Sequence, residues 1–377
     1  MNKFFILPVL VLTLFSCKNG NHKHSDGEHE HADGKSSATY KQEKFQENNP
    51  LVYESEKHFK NMYQLTNGGD NAETYWSFDN SKLIFQRRNI EDSVMCDQIF
   101  IANVPKPGEE LEYKMISTGK GRTTCSYFLP GDTTAIWAST HLKHENCPPE
   151  PDKTHGYVWP LYPEFEIFIS DLEGNIKEQL TNDKFYDAEA TASPTENKIV
   201  YTSTKSGDLE LYVLDLTTRK EVQITKELGY DGGAFFSPDG TQLIWRSSRP
   251  KTDEEVKKYK DLLARDLVEP SDMELYIGNI DGTNVRKLTD LGGANWAPFF
   301  HPSGKKVIFC SNHVTKKFPF NLFMINTDGT GLEQITYDNT FDSFPMFSPD
   351  GKFLIFSSNR NNNGTKDTNI FITEWVD

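Results

Sequence analysis

The stretch FFSPDGTQLIW spans Phe235–Trp245, and two near copies follow it: FFHPSGKKVIF at Phe299–Phe309 and MFSPDGKFLIF at Met346–Phe356. Each copy is a pair of apolar runs around a tight turn. Pro238 and Pro349 hold φ at about −65°, and Gly240 and Gly351 supply a residue that tolerates positive φ. Asp239 and Asp350 can close the turn with their own side chains. The aromatic and branched flanks favour strands over helices. The phrase therefore spells a β-hairpin. A lone hairpin is marginal in water, so the repetition carries the fold.

Weaker copies surround these three: WSFDNSKLIF (Trp76–Phe85), YFLPGDTTAIW (Tyr127–Trp137) and TASPTENKIVY (Thr191–Tyr201). An aliphatic residue followed by Thr or Ser precedes each hairpin, at Leu65-Thr66, Ile116-Ser117, Leu180-Thr181, Ile224-Thr225, Leu288-Thr289 and Ile335-Thr336. Between hairpin and marker lies a further strand pair, as in LELYVLDLTTRKEVQIT (Leu209–Thr225). One repeat is four strands, and successive copies start about 44 to 64 residues apart, the period of a propeller blade. The expected fold is all-β, a six-bladed β-propeller. The last blade stops after a third strand, NIFITEWVD, and HFKNMYQLT (His58–Thr66) is a fourth strand with no blade before it. The N-terminal strand is thus expected to close the last blade and remove the open edges.

The chain opens MNKFFILPVLVLTLFSC. Its apolar run, Phe4 to Phe15, is too short to span a bilayer and reads as a signal peptide over residues 1–16. The run ends at Leu14-Phe15-Ser16-Cys17, which resembles a bacterial lipobox; the resemblance implies cleavage before Cys17 and lipidation of its sulfur. Residues 17–50 form a polar tether in which His22, His24, His29 and His31 alternate with acids; a solvated linker is favoured over a weak metal site. The propeller is placed at 51–377. The formal net charge is −15 with no basic stripe, which argues against nucleic acid and against electrostatic adhesion to anionic membranes. Cys310 sits mid-strand and reads as a buried thiol. One disulfide is expected among Cys96, Cys125 and Cys147.

The start of each first strand and the link between second and third strands share one face of a propeller. Those positions supply the candidate ligand-binding set Asp187, Glu189, Asp231, Arg246, Arg249, Asn295, His313, Asp342 and Arg360, with Glu73 and Arg87 at corresponding places. Two insertions leave from the same face. Residues 141–165 are rich in Pro and aromatics and read as an ordered flap. Residues 250–272 read as a helix capped by Asp253 and running to about Leu267. Two ordered lids over one mouth point to a binding site. Within the flap, His141 and His144 are the candidate metal ligands, near Cys147 and His155. No GxSxG and no HExxH are present.

The marker, the SPDG turn and the closing Ser358-Asn359-Arg360 resemble the TolB-type propeller repeat, from about Tyr53 onward. TolB carries an additional N-terminal α/β domain where this chain has a tether. More narrowly, GKGRTTCSYF, STHL…CPP…GYVW and YDAEATASP look like a group of bacterial exported TolB-related propellers. With the lipobox-like leader and the lidded mouth, the expectation is a lipid-anchored protein of the bacterial cell envelope, at the outer membrane, that binds a protein, peptide or glycan at that mouth. The alternative is a metal-dependent lyase or hydrolase of acidic oligosaccharides. It would resemble oligogalacturonate lyase, with His ligands for a divalent metal.

Overall fold

Six four-stranded antiparallel sheets follow one another along the chain, each started by one of the six hairpins. The computed structural model describes residues 44–377 apart from 153, 155 and 271; the signal segment, Cys17, the His-rich tract and His155 lie outside the described residues. In blade 3 the strands are Asp187–Ala192, Lys198–Ser203, Glu210–Asp215 and Glu221–Gln223, paired in that order. Blades 1, 2, 4 and 5 begin at Asp70, Thr123, Tyr230 and Asn295 and repeat the arrangement. Blade 6 takes Asp342–Phe347, Phe353–Ser358 and Asn369–Trp375 from the end of the chain and Phe59–Gln64 from its beginning. Phe371 stands opposite Gln64 and Trp375 opposite Phe59, which is the expected closure.

The turns are built as the sequence implies. Asp239 Oδ1 accepts from the Ser237 hydroxyl at 2.6 Å and from the Thr241 N–H at 3.0 Å, and Gly240 takes φ +73°. The marker has a single cause in all six blades. Its hydroxyl accepts the backbone N–H of a third-strand residue in the same blade: Ser117 from Ile99, Thr181 from Ile167, Thr225 from Leu211, Thr289 from Leu275, Thr336 from Leu322 and Thr66 from Ile370, at 2.8–2.9 Å. The fourth strand is short, and this bond extends the ladder where backbone pairing ends. The core lies between the blades. Second strands are buried on both faces, as in Leu83-Ile84-Phe85 and Leu243-Ile244-Trp245, each such side chain contributing about 1.5–3 kcal/mol.

Order begins earlier than the expected start at residue 51. Phe45–Gln46 pairs with Asn49–Tyr53, because Val52 and Tyr53 bury themselves against the ring and the Tyr53 hydroxyl donates to Asp338 at 2.7 Å. Next comes Glu56, wholly buried. Arg360 grips its two oxygens at 2.9 and 3.1 Å, reaches Asp342 at 3.0 Å and donates to the Leu51 carbonyl at 2.8 Å. Arg360 and Asp342, expected at the mouth, are therefore structural: they lock the N-terminal segment to the closing blade. Removing one partner from a buried ion cluster leaves uncompensated charge. Arg360→Ala should lower unfolding free energy by about 3–5 kcal/mol, read by urea titration, and a loss under 1 kcal/mol would contradict this assignment.

Candidate functional site

One residue at the start of each first strand, or one place into it in blades 1 and 4, occupies a repeated opening position opposite a second-strand residue: Asn71 with Arg87, Thr123 with Ser139, Asp187 with Ser203, Asp231 with Ser247, Asn295 with Ser311 and Asp342 with Ser358. All six are fully buried. The hydrogen bonds they make go to their own blade or to the preceding one. Asp231 accepts from Trp245 Nε1 at 2.8 Å and from Arg249 at 2.7 and 2.8 Å, and the guanidinium of Arg249 lies 5.4 Å from the Tyr276 ring. Asn295 donates to the Met273 carbonyl at 2.9 Å and accepts from Ser311 at 2.6 Å. His313 Nδ1 meets Ser311 Oγ at 2.9 Å, and its ring packs 4.5 Å from Phe323. His141 repeats this in blade 2, with Ser139 at 3.0 Å and Phe168 at 4.6 Å. Burial lowers the pKa of both imidazoles. His144 lies 3.9 Å from Glu164. No group of three His, Cys, Asp or Glu side chains suited to a metal converges among the described residues.

Two residues later the backbone changes. Glu73, Cys125, Glu189, Gly233, Ala297 and Phe344 all take φ between +42° and +59°, and each sits in a break of register between first and second strands. These are β-bulges, which re-aim a side chain that regular alternation would send elsewhere. Six of them ring the channel. Glu73, Glu189 and Phe344 line one cavity of about 440 Å³ together with Tyr186, Tyr230, Arg246, Trp296, Phe341 and Trp159. At Gly233 a Cβ would lie 1.8 Å from Arg246 Nη1; the missing side chain is the space the arginine crosses. Arg246 then pairs with Glu189 and with the Tyr230 hydroxyl. Glu189 also accepts from Gly233 N–H at 2.9 Å and Thr202 at 2.7 Å.

Of the nine expected ligand-binding residues, Glu189 and Arg246 line this cavity. The aromatic wall went unread, although its bulge residues share one signal: each stands two places after a blade's opening residue. The opposite end of the channel is apolar, a cavity of about 230 Å³ lined by Tyr75, Tyr127, Phe299 and the turn prolines Pro238, Pro302 and Pro349.

The two insertions meet over the mouth. Trp159–Pro160 pairs antiparallel with Leu267–Val268, and the Leu161 N–H donates to the Asp266 carbonyl at 2.7 Å. They join blades 2 and 4 across blade 3. The helix is Asp253–Leu263, shorter than expected, and Thr252 rather than Asp253 caps it, in a reciprocal box with Glu255. A Cys96–Cys147 disulfide fastens the flap to blade 1. Cys125 and Cys310 are free and buried.

Residues 264–370 match the family model described as the TolB beta propeller domain. Among solved structures, TolB from Acinetobacter baumannii aligns with TM-score 0.51 and 18% identity over 81% of this chain and 63% of its own. A TolB-type protein of Agrobacterium tumefaciens gives 0.49 and 16% over 82% and 91%. Oligogalacturonate lyase of Vibrio parahaemolyticus gives 0.49 and 12% over 85% and 94%. No curated protein matches. The fold is a TolB-type β-propeller.

Asp187 stands apart from its counterparts. Lys205, in the place of Arg249, turns to Tyr201 and Glu221, so that among the described residues Asp187 has no cation bonded to it and only the Ser203 hydroxyl stands near its carboxyl. Burial, partly offset by the nearby Ser203 hydroxyl, raises its pKa to about 7. The folded state therefore holds this proton where an unfolded chain, with a pKa of about 3.9, has lost it. Stability should fall as pH rises from about 4 through 7. Asp187→Asn, the residue type that blade 5 uses, should lessen the slope over that window in melting curves recorded at pH 5 and 8, the other raised carboxyls such as Glu73 and Asp231 keeping their share. An unchanged pH slope would refute the protonated carboxyl.

Proposed function

We propose that this TolB-type propeller is a lipid-anchored protein of the bacterial envelope that grips a polypeptide partner at its clasped mouth. One observation carries the reading. Among the described residues, the large hydrophobic side chains that are at least half exposed are Ile90, Met95, Leu142, Tyr157, Val314 and Phe318, at 50–68%. All six stand on or beside the links between second and third strands of blades 1, 2 and 5, which is the mouth face. Apolar side chains held out on one rim around a polar cavity are what a protein interface requires. A wet channel mouth needs none of them. The sugar-lyase alternative lacks a comparable support, since its metal ligands find no counterpart among the described residues.

The rim can be tested by crosslinking in cells. Ile90→Asp with Phe318→Asp should abolish the crosslinked product at unchanged melting temperature, whereas Val222→Asp, on an outer fourth strand, should keep it. Retention in the rim variant with loss in the outer-strand variant would sink the reading. The anchor rests on the lipobox-like Leu14-Phe15-Ser16-Cys17. Cys17→Ser should release the protein to the soluble fraction or leave an uncleaved precursor. A mature-sized band that stays wholly with the membrane would remove the lipid from the proposal.

A further inference from the structure

Five carboxylates line the mouth cavity: Asp70, Glu73, Asp97, Glu150 and Glu189. Three arginines line it too, and each is taken. Arg88 pairs with Asp70, Arg122 with Asp97 and Glu150, and Arg246 with Glu189. Glu73 makes no ion pair among the described residues. Its contacts are the Tyr75 hydroxyl at 3.3 Å and the Cys125 thiol. The cavity thus carries one carboxylate with no ion pair of its own among the described residues, Arg246 acting on it only at a distance.

The surroundings favour a cation in that place. Trp159 hangs from the clasp 5.8 Å from Trp296, and Trp296 meets Phe344 edge-to-face at 5.1 Å. This wall already holds one cation: the Arg246 guanidinium lies 5.3 Å from the Trp159 ring and 5.1 Å from the Tyr230 ring. Aromatic faces beside a carboxylate attract an ammonium through both the ring quadrupole and the charge. An anionic ligand would meet Glu73 unscreened. A neutral one would leave the carboxyl nothing to pair with, so that it takes up a proton instead.

We infer that the mouth recognises a primary ammonium group of its polypeptide partner, a lysine side chain or the chain's amino terminus, held between the Glu73 carboxylate and the aromatic wall of Trp159, Trp296 and Phe344. This rests on the mouth being the binding site. It adds the chemical group that enters the cavity, while the rim hydrophobics hold the flanking chain.

The inference carries a pH signature. The groups that face Glu73 are Tyr75 on its own strand, Cys125, Glu189 and Arg246. Burial and the charge of Glu189 raise its pKa to about 7, and Cys125, Arg246 and Tyr75 oppose that rise. Below that pH the carboxyl is protonated and must lose its proton before it can pair. Amine affinity should therefore be about tenfold weaker at pH 6 than at pH 8, the proportion expected when a site ionises at 7.

The probe is Nα-acetyl-lysine methylamide, added to the full-length protein in detergent and followed by tryptophan fluorescence, since Trp159 and Trp296 both line the cavity. Wild type should give a saturable change. Glu73→Gln, which keeps the side-chain shape, should weaken binding at least tenfold and abolish its pH dependence. Trp159→Ala, on the clasp and outside the blades, should weaken it severalfold and guards against a folding defect in the first variant. The Nε-acetylated probe should not bind. Absence of binding by the free amine, equal binding of the acetylated probe, or binding of glucosamine without the lysine amide would each overturn the inference. If the rim variants lose their crosslinked partner while the amine does not bind, the mouth remains the site and the ammonium assignment alone is wrong. If neither effect is seen, both are wrong.

Discussion

A strand from the front of the chain, Phe59–Gln64, pairs with the last strand, Asn369–Trp375, and the ring depends on that pairing. Each blade buries one face on its predecessor and one on its successor. An open row of six would leave two apolar faces and unpaired ladder edges in water. The closing strand contributes few residues, so it is reinforced from both sides. Thr66 donates its hydroxyl to Asn369 and accepts from the Ile370 N–H. Upstream, Glu56 is seized by Arg360. The buried charge is tolerated because every member of the cluster has an opposite charge or a backbone partner.

The same repeat serves two ends. The residue near the start of each first strand is buried in the blades, bonded by an arginine at Asn71, Asp231 and Asp342 and by Ser311 at Asn295. At three of the bulges, Glu73, Glu189 and Phe344, the side chain is turned to the channel cavity. Left-handed backbone at a non-glycine residue costs about 1–3 kcal/mol, and five of the six bulges accept it without glycine. The sixth needs glycine because Arg246 occupies the space of its side chain. The cost of the bulges is distributed around the ring, and what it yields is a cavity wall with chosen side chains at fixed positions.

Much of the fold was legible in the sequence. The SPDG turns, the aliphatic-Thr markers and the missing fourth strand of the last blade each name a backbone event, and each is found where it was read. The two insertions were placed on the correct face. The site was less legible. Asp187, Asp231, Asn295, Asp342 and Arg360 look like mouth residues because they are polar at strand ends, but all five are buried, and the hydrogen bonds of the last four turn inward. Strict alternation places a residue two positions on in the same orientation, and a bulge breaks that rule with no mark beyond its fixed place in the repeat, its residue type differing from blade to blade. Trp296 and Phe344 read as ordinary strand aromatics for the same reason. The disulfide stayed open among three cysteines because Cys125 shares the face with the other two. Only the bulge, which buries it beside Glu73, separates it from Cys96 and Cys147.

The buried grip on Glu56 also sets how the molecule bears load. Any tension entering from the N-terminal side reaches Glu56 before it reaches Phe59. At Glu56 it passes to the Arg360 guanidinium and the Tyr337 N–H, which belong to different parts of the ring. The hydrogen-bonded seam at Phe59–Gln64 lies behind this strain relief, as a soldered joint lies behind a cable clamp. A chain held by its front end can therefore be tugged without the force peeling open the strand that keeps the six blades in a circle.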